Sequence, residues 1–318
     1  MGAYGKSARL RKPAAIALLA LGACVNVETP ETDATAVVAA APVPAVRQVQ
    51  SESSKDLERY YLRVQNDLTA RGLLRVDGGG PDVPFTAYNL AENFAAIALS
   101  EELRVENGRV LPGRALITLR RWKEPIRFGL YFGDTVPEEI RVSDRAFVDA
   151  YVRRLSRITG HPMAMASSNT NFDIVVLHED QRLAVNPILQ RAGVIPSRGM
   201  IDAIAGMSRN DYCAVLTEDR RNDGVISNAL AIVRAEHSEM MRRMCFHEEI
   251  AQGLGLFNDS PRARPSIFND DEEFGRLTTH DEMLLKILYD PRMRPGMSAA
   301  DARSTAVVIA NELVGGSS

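Results

Sequence analysis

Residues 245–259 read CFHEEIAQGLGLFND, and this stretch concentrates acidic, amide and imidazole side chains in one predicted helix. Four apolar residues fall on one face of that helix, which we expect to be buried: Phe246, Ile250, Leu254 and Phe257. Glu248 and Gln252 are four residues apart, so their side chains lie one above the other on roughly the opposite face. Glycines at 253 and 255 predict that the helix ends shortly after Gln252.

The zinc-hydrolase pattern H-E-x-x-H fits this stretch poorly. Such a site needs two histidines and a general base on one helix. If the pattern starts at His247, residue 251 should be histidine, but it is alanine. Gln252 lies about 140° around an ideal helix from His247, so the two could share a metal only across a π-bulge. His247 borders the apolar face and stays a further candidate ligand.

A second reading starts one residue later, at Glu248, and gives E-E-x-x-Q-x-x-G-x-x-N. Its spacing is that of the metzincin pattern H-E-x-x-H-x-x-G-x-x-H. In this reading the chain resembles the metzincin branch of the zinc peptidases with its ligands replaced. The resemblance implies metal positions at Glu248, Gln252 and either Asn258 or Asp259, a turn at Gly255 and a general base at Glu249.

The stretch LTTHDEMLLKILYDPRMRPGM, residues 277–297, resembles the helix that follows the metal helix in that superfamily. Together the two stretches also resemble an uncharacterised domain family of proteobacterial lipoproteins, over about residues 85–300. The resemblance implies an α+β, zincin-like domain with a small mixed sheet and a central active-site-type helix. It implies a cell-envelope location and no established activity.

The replaced ligands change the expected metal chemistry. Zinc prefers histidine and cysteine, whereas carboxylate and amide oxygens suit harder ions such as calcium or magnesium. A glutamine ligand offers a neutral carbonyl, which lowers zinc affinity and weakens activation of a bound water. We therefore expect either no cofactor or a weakly bound divalent metal, and not zinc.

The N-terminus predicts a lipoprotein signal peptide at residues 1–23. Four basic residues precede an apolar run that is too short to span a membrane. Residues 21–24 read LGAC, which resembles a bacterial lipobox, so Cys24 is the expected lipidation site. Val25, rather than aspartate, follows the cysteine, and in lipoproteins this favours the outer membrane, facing the periplasm. An ordinary signal peptide with a cysteine near its cleavage site is the alternative.

Residues 24–50 are rich in Ala, Pro, Thr and Val and contain no aromatic residue, so they predict a flexible tether. Residues 51–318 are expected to form a single domain with a core at about 85–300. Within it, apolar periodicity predicts helices at 53–71, 88–103, 143–160 and 298–313. Strands are predicted at 115–122 and 126–132 as a pair, and at 172–177, 213–216 and 229–233, the last leading into the central helix.

Cysteine content and charge limit the compartment and the partners. If Cys24 carries lipid, Cys213 and Cys245 remain as an even pair in an oxidising compartment, and we predict a disulfide between them. Two separate buried thiols are the alternative. The formal net charge is -3 and falls further when the basic signal peptide is removed, which argues against nucleic acid as a partner.

Three functions are compatible with these features. The leading one is an envelope lipoprotein, anchored to the membrane through its N-terminal lipid, whose degenerate metzincin-like domain binds a peptide or envelope protein without cleaving it. The second is an active metallopeptidase that uses Glu249 as general base. The third is a structural envelope component. The missing histidines count against the enzyme, and the retained glutamate and glycine count against a purely structural role.

Overall fold

The structure is a computed structural model that describes residues 49–80, 83–106, 109–191, 193–194, 197–269 and 271–315, without the side chains of 101–115. The predicted signal peptide, nearly all of the tether and the Cys24 lipidation site lie outside the described residues. Within them, no helix is both long and apolar enough to cross a membrane.

Groups of helices and groups of strands follow one another along the described chain. The helices are α1 (Glu52–Ala70), α2 (Ala87–Ala98), α3 (Glu138–Thr159), α4 (Glu179–Arg182), α5 (Val185–Arg191), α6 (Arg198–Gly206), α7 (Glu239–Gly253), α8 (Thr279–Tyr289) and α9 (Ala299–Gly315). The strands are β1 (Ser100–Glu106), β2 (Arg109–Leu116), β3 (Arg121–Trp122), β4 (Ile126–Phe132), β5 (Met163–Met165), β6 (Phe172–Leu177), β7 (Cys213–Glu218), β8 (Val225–Ile226) and β9 (Asn228–Arg234). This content is mixed α+β, as predicted.

A five-stranded sheet lies at the centre, in the order β5-β4-β6-β9-β7. Four of its strands are parallel, and β7 runs antiparallel to β9 at one edge. All six residues of β6 are buried, because helices cover both faces of the sheet. This double coverage explains why β6 and β9 are continuous apolar runs and not alternating ones.

The two faces of the sheet carry separate hydrophobic cores. The larger core joins alternate residues of β6, such as Phe172 and Ile174, to the apolar face of α7 and to α2, α3, α8 and α9. The smaller core joins Val175 and Leu177 to α5 and α6. The alternation of side chains along β6 therefore assigns α7 to one face of the sheet and the short helices to the other.

The structure differs from the sequence-based description of the helices and strands at several places. The second predicted helix ends at Ala98, because the chain from Ser100 pairs with β2 in a hairpin. The predicted pair at 115–122 and 126–132 does not form, because β3 pairs with β8 and β4 pairs with β5 and β6. Residues 181–210, too mixed in composition for a prediction, contain the end of α4 and the short helices α5 and α6.

The helix that follows the central helix begins at a fully buried aspartate. Asp281 accepts hydrogen bonds from the backbone N–H groups of Thr278 and Ile267, each at 3.0 Å, and from the Ser266 hydroxyl at 2.5 Å. Its own N–H donates to the Thr278 hydroxyl at 3.1 Å, which completes a capping box at the start of α8. One carboxylate therefore joins α8 to the loop before it.

We expect Asp281→Ala to lower the free energy of unfolding by about 3 kcal/mol or more, because three buried donors lose their acceptor. Asp301→Ala is the matched control, since Asp301 lies in the exposed first turn of α9, where its carboxylate accepts from the Ser298 hydroxyl and its N–H donates to that hydroxyl. It should cost about 1 kcal/mol or less. Urea unfolding of both variants measures the difference, and equal losses would contradict the role assigned to burial.

Candidate functional site

The central helix α7 follows β9 after a short turn, as the sequence predicts. The Ser238 hydroxyl caps its N-terminus by accepting from the Met241 N–H at 3.3 Å. Three residues of the predicted inner face are buried, with Phe246, Ile250 and Leu254 all at 0% exposure. The fourth, Phe257, lies beyond the end of the helix and is half-buried. The helix begins at Glu239, six residues before Cys245, where the stretch quoted from the sequence starts. It ends at Gly253.

The added N-terminal turns contain a buried ion pair that sequence reasoning missed. The guanidinium of Arg242 on α7 donates to both carboxylate oxygens of Asp144 on α3, at 2.9 and 3.2 Å. A third bond runs from Arg242 to the carbonyl of His237 at 2.7 Å. Burial raises the pKa of Asp144, while the adjacent Arg242 opposes that change. The sequence signal for this ion pair was Arg242 itself, a charged residue among the apolar residues Met241, Met244 and Cys245.

A disulfide between Cys213 and Cys245 joins the edge strand β7 to α7, with Cα atoms 5.8 Å apart. The prediction of this bridge is confirmed. The two cysteines are 32 residues apart, so closing this loop in the unfolded chain contributes roughly 3 to 4 kcal/mol to stability. The bond also fixes β7 next to the part of α7 that carries Glu248 and Glu249.

His247 points into the core, away from the polar side of the helix. Its ring packs against Tyr151 at 4.2 Å and Phe147 at 5.5 Å between ring centroids. Its Nδ1 accepts from the Leu277 N–H at 3.4 Å. Burial lowers the pKa of His247 to about 3, so the imidazole is neutral at physiological pH. The structure thus gives His247 the contacts of a core residue.

The structure distinguishes the two candidates for the third metal position, Asn258 and Asp259. Asn258 is buried, and its side-chain amide donates to the carbonyl of Ala96 at 3.0 Å and to the Ser100 hydroxyl at 2.8 Å. It therefore joins this loop to the end of α2. Asp259 is oriented toward the helix instead, where its carboxylate accepts from the Gln252 amide at 3.4 Å.

Gly255 allows the chain to turn after α7, so that Asp259 can approach Gln252. Its φ of 126° lies in a region that other residues rarely adopt, and a Cβ there would lie 2.5 Å from the carbonyl oxygen of Arg120. The glycine predicted for the turn is therefore required both by backbone conformation and by close packing.

Glu249 is buried, at 4% exposure, and its Oε2 has no hydrogen-bond partner in the part of the chain that the structure describes. Burial, together with the negative charge of Asp259, raises the pKa of Glu249 well above its ordinary value. A buried acceptor without a donor costs about 1–3 kcal/mol, so native proteins contain few of them. Glu249 therefore destabilises the folded state when its carboxyl group is ionised.

The side chains brought together here do not fit a zinc site. Among the described residues, one group of three possible metal-binding side chains is close enough to hold an ion, namely Cys213, Glu248 and Glu249, whose donor atoms lie within 4.8 Å of one another. The sulfur of Cys213 is in the disulfide and is not a thiolate. The remaining donors, including Gln252 and Asp259, are oxygens, whereas zinc sites rely on nitrogen and sulfur.

A comparison with known families identifies the domain. The sequence profile of DUF2927, described as a protein of unknown function, matches residues 87–307, more than half of the chain. The chain belongs to the DUF2927 family. Searches of curated proteins and of solved structures gave no match. The DUF2927 region contains α2, the central sheet, the disulfide, the whole of α7 and the first half of α9.

We expect Glu249→Gln to stabilise the protein at about pH 8 by at least about 1 kcal/mol and to have little effect at about pH 4. The raised pKa means that the native state keeps a proton that the unfolded chain releases above its ordinary pKa of 4.5, so wild-type stability falls as the pH rises from there. Glutamine does not titrate, so the variant escapes this loss.

Unfolding in urea at the two pH values tests this expectation. Glu239→Gln is the matched control, because Glu239 lies on the same helix with its side chain 55% exposed and should change stability by about 0.5 kcal/mol or less. A Glu249→Gln protein less stable than wild type at about pH 8 would mean that the ionised carboxylate is held by a partner.

Proposed function

We propose that this DUF2927 protein is a cell-envelope lipoprotein whose domain binds an extended peptide or protein segment along β7 without cleaving it. The observation that carries the proposal is the position of β7. It is the edge strand of the central sheet, and the disulfide holds it beside the polar side of α7. An edge strand offers a row of backbone groups to which an extended segment can add.

The polar side of α7 supplies contacts for the side chains of such a segment. Glu248 and Gln252 are half-buried, and Asp259 lies close to Gln252. All six residues of β7 are half-buried, so its side chains are accessible to a ligand in part. Backbone pairing would give affinity, and the α7 side chains would give selectivity.

Several features support a zincin-like domain. The sheet is small and mixed, β9 leads into α7, a required glycine makes the turn after it, and a capped helix follows at Thr279–Tyr289. These are the features that the metzincin-like spacing from Glu248 implies. The oxygen donors on α7 argue for a binding domain derived from such a scaffold rather than for a working zinc peptidase.

A metallopeptidase with Glu249 as general base is the second candidate, favoured by one observation: the raised pKa of this buried carboxyl group. Catalytic acids and bases often have shifted pKa values. A general base must also reach water and substrate, and Glu249 is 4% exposed. Burial therefore favours binding over hydrolysis.

We expect the purified full chain to contain no stoichiometric zinc and to leave a broad peptide library uncleaved. It should instead retain a subset of the library, because β7 and α7 provide a binding surface without a zinc-type ligand set. Metal analysis, mass spectrometry of the library and affinity selection make the three measurements. One zinc per chain, with cleavage abolished by Glu249→Gln, would establish the peptidase.

The site of binding can be mapped with a photo-crosslinking amino acid at Thr217 on β7. The matched control places the same group at Leu183, whose side chain is 64% exposed near the opposite face of the sheet. Retained peptides should crosslink from position 217 and not from 183. Equal yields from both positions, or no retained peptide, would remove β7 as the binding strand and leave a structural role.

Lipid anchoring has its own test, because the signal sequence lies outside the described residues. We expect the mature chain to begin at Cys24 and to fractionate with membranes, since acyl chains provide the anchor. Cys24→Ser should release the protein from membranes or leave it unprocessed. If the signal peptide is an ordinary one, Cys24→Ser should change neither processing nor membrane association. Mass spectrometry of the N-terminus and membrane fractionation decide between them.

A further inference from the structure

A polar cavity of about 460 Å³ lies on the face of the sheet away from α7. It is formed where β6 and β9 begin and where β7 ends, next to Gly193, Val194 and Met200. This volume falls within the range of small-molecule sites, about 300–1,000 Å³. The cavity lies on the opposite face of the sheet from the polar side of α7, and it shares Glu218, the last residue of β7, with the proposed peptide surface.

A buried carboxyl group with one unpaired oxygen lines the cavity. Asp173 on β6 is 8% exposed, and its Oδ1 has no hydrogen-bond partner among the residues that the structure describes. Burial raises the pKa of Asp173. Thr170 and Tyr131 oppose this change through side-chain hydrogen bonds to the carboxyl group, whereas Oδ1 is an acceptor in a largely dry position without a donor among the described residues.

The backbone of the neighbouring strand makes room for this carboxyl group. A Cβ added at Gly129 on β4 would lie 2.7 Å from Asp173 Oδ1 and 2.5 Å from the Tyr131 hydroxyl oxygen. Any other residue at 129 would displace one of the two polar groups. Glycine thus preserves an arrangement that by itself costs stability.

The positively charged side chain that lines the cavity, Arg220, already has a partner. Arg220 donates to the Glu218 carboxylate at 3.1 Å, and its side chain is 64% exposed. The other polar lining groups are neutral: hydroxyls, such as that of Thr170, and amides, such as that of Asn228. The opposite part of the lining is apolar and buried, with Val194, Met200 and Leu230 at 8, 7 and 2% exposure.

These groups match one ligand class better than others. A ligand hydroxyl both donates and accepts, so several of them can satisfy a carboxylate and also pair with neighbouring hydroxyls and amides. An ammonium group only donates, so it could not accept a hydrogen bond from a lining hydroxyl such as that of Thr170. The C–H faces of a sugar ring would match the apolar part of the lining.

We propose that this cavity binds a small neutral polyol, such as a monosaccharide or disaccharide, with Asp173 accepting a hydrogen bond from a ligand hydroxyl. Asp173 is then retained for recognition, at a cost to the stability of the unliganded fold. The site acts independently of peptide binding at β7, so either proposal can fail without the other.

The test uses the full chain with glucose, N-acetylglucosamine, maltose and glycerol as polyols and ethylammonium as the competing cation. Saturation-transfer NMR detects binding, and calorimetry measures the affinity. Asp173→Ala should weaken the binding of a responding sugar at least tenfold. Neither Asp173→Ala nor Asp173→Asn should lower the melting temperature, because both remove a buried unpaired carboxyl group.

Asp202→Ala is the matched control, since Asp202 lies on α6 with its side chain 70% exposed. It should leave both sugar affinity and melting temperature unchanged. If Asp173→Ala does not fold, Asp173→Asn must weaken sugar binding at least threefold. The proposal is overturned if no polyol binds, if binding is insensitive to Asp173, or if only ethylammonium binds.

Discussion

The attachment of α7 to the sheet is the constraint on which the rest of the structure depends. The Cys213–Cys245 bond and the buried apolar face hold the helix on the sheet, and the Trp122 indole of β3 donates to the carbonyl of Gly253 at 2.8 Å. Gly253 allows this approach, because a Cβ there would lie 2.4 Å from the ring of Phe172. With the inner face fixed in this way, the polar side of α7 has one orientation relative to β7.

Buried carboxyl groups in this protein fall into two kinds. Asp144 and Asp281 accept from several donors, and they join α3 to α7 and α8 to its preceding loop. Glu249 and Asp173 each keep one oxygen without a donor among the described residues. The first kind stabilises the fold, whereas the second weakens it. The two unpaired groups lie on opposite faces of the same sheet.

The sequence identified the elements whose pattern is continuous and local. The apolar run at Phe172–Leu177 and the strand that leads into α7 are both observed. Predictions were wrong where pairing partners are distant, as for Arg121–Trp122, which pairs with a strand about a hundred residues later. Apolar periodicity continues from α2 into β1, so only the hairpin with β2 reveals where the helix ends.

The sequence by itself determined the central helix, its buried face, the glycine turn and the pair of cysteines, because each depends on residue type and short-range spacing. Only the tertiary structure decided that His247 faces the core, that Asp259 rather than Asn258 returns to α7, and that Asp173 lines a cavity. Those outcomes depend on which groups approach from elsewhere in the chain. Hydrogen-bond partners and burial are long-range properties, and spacing along one helix does not encode them.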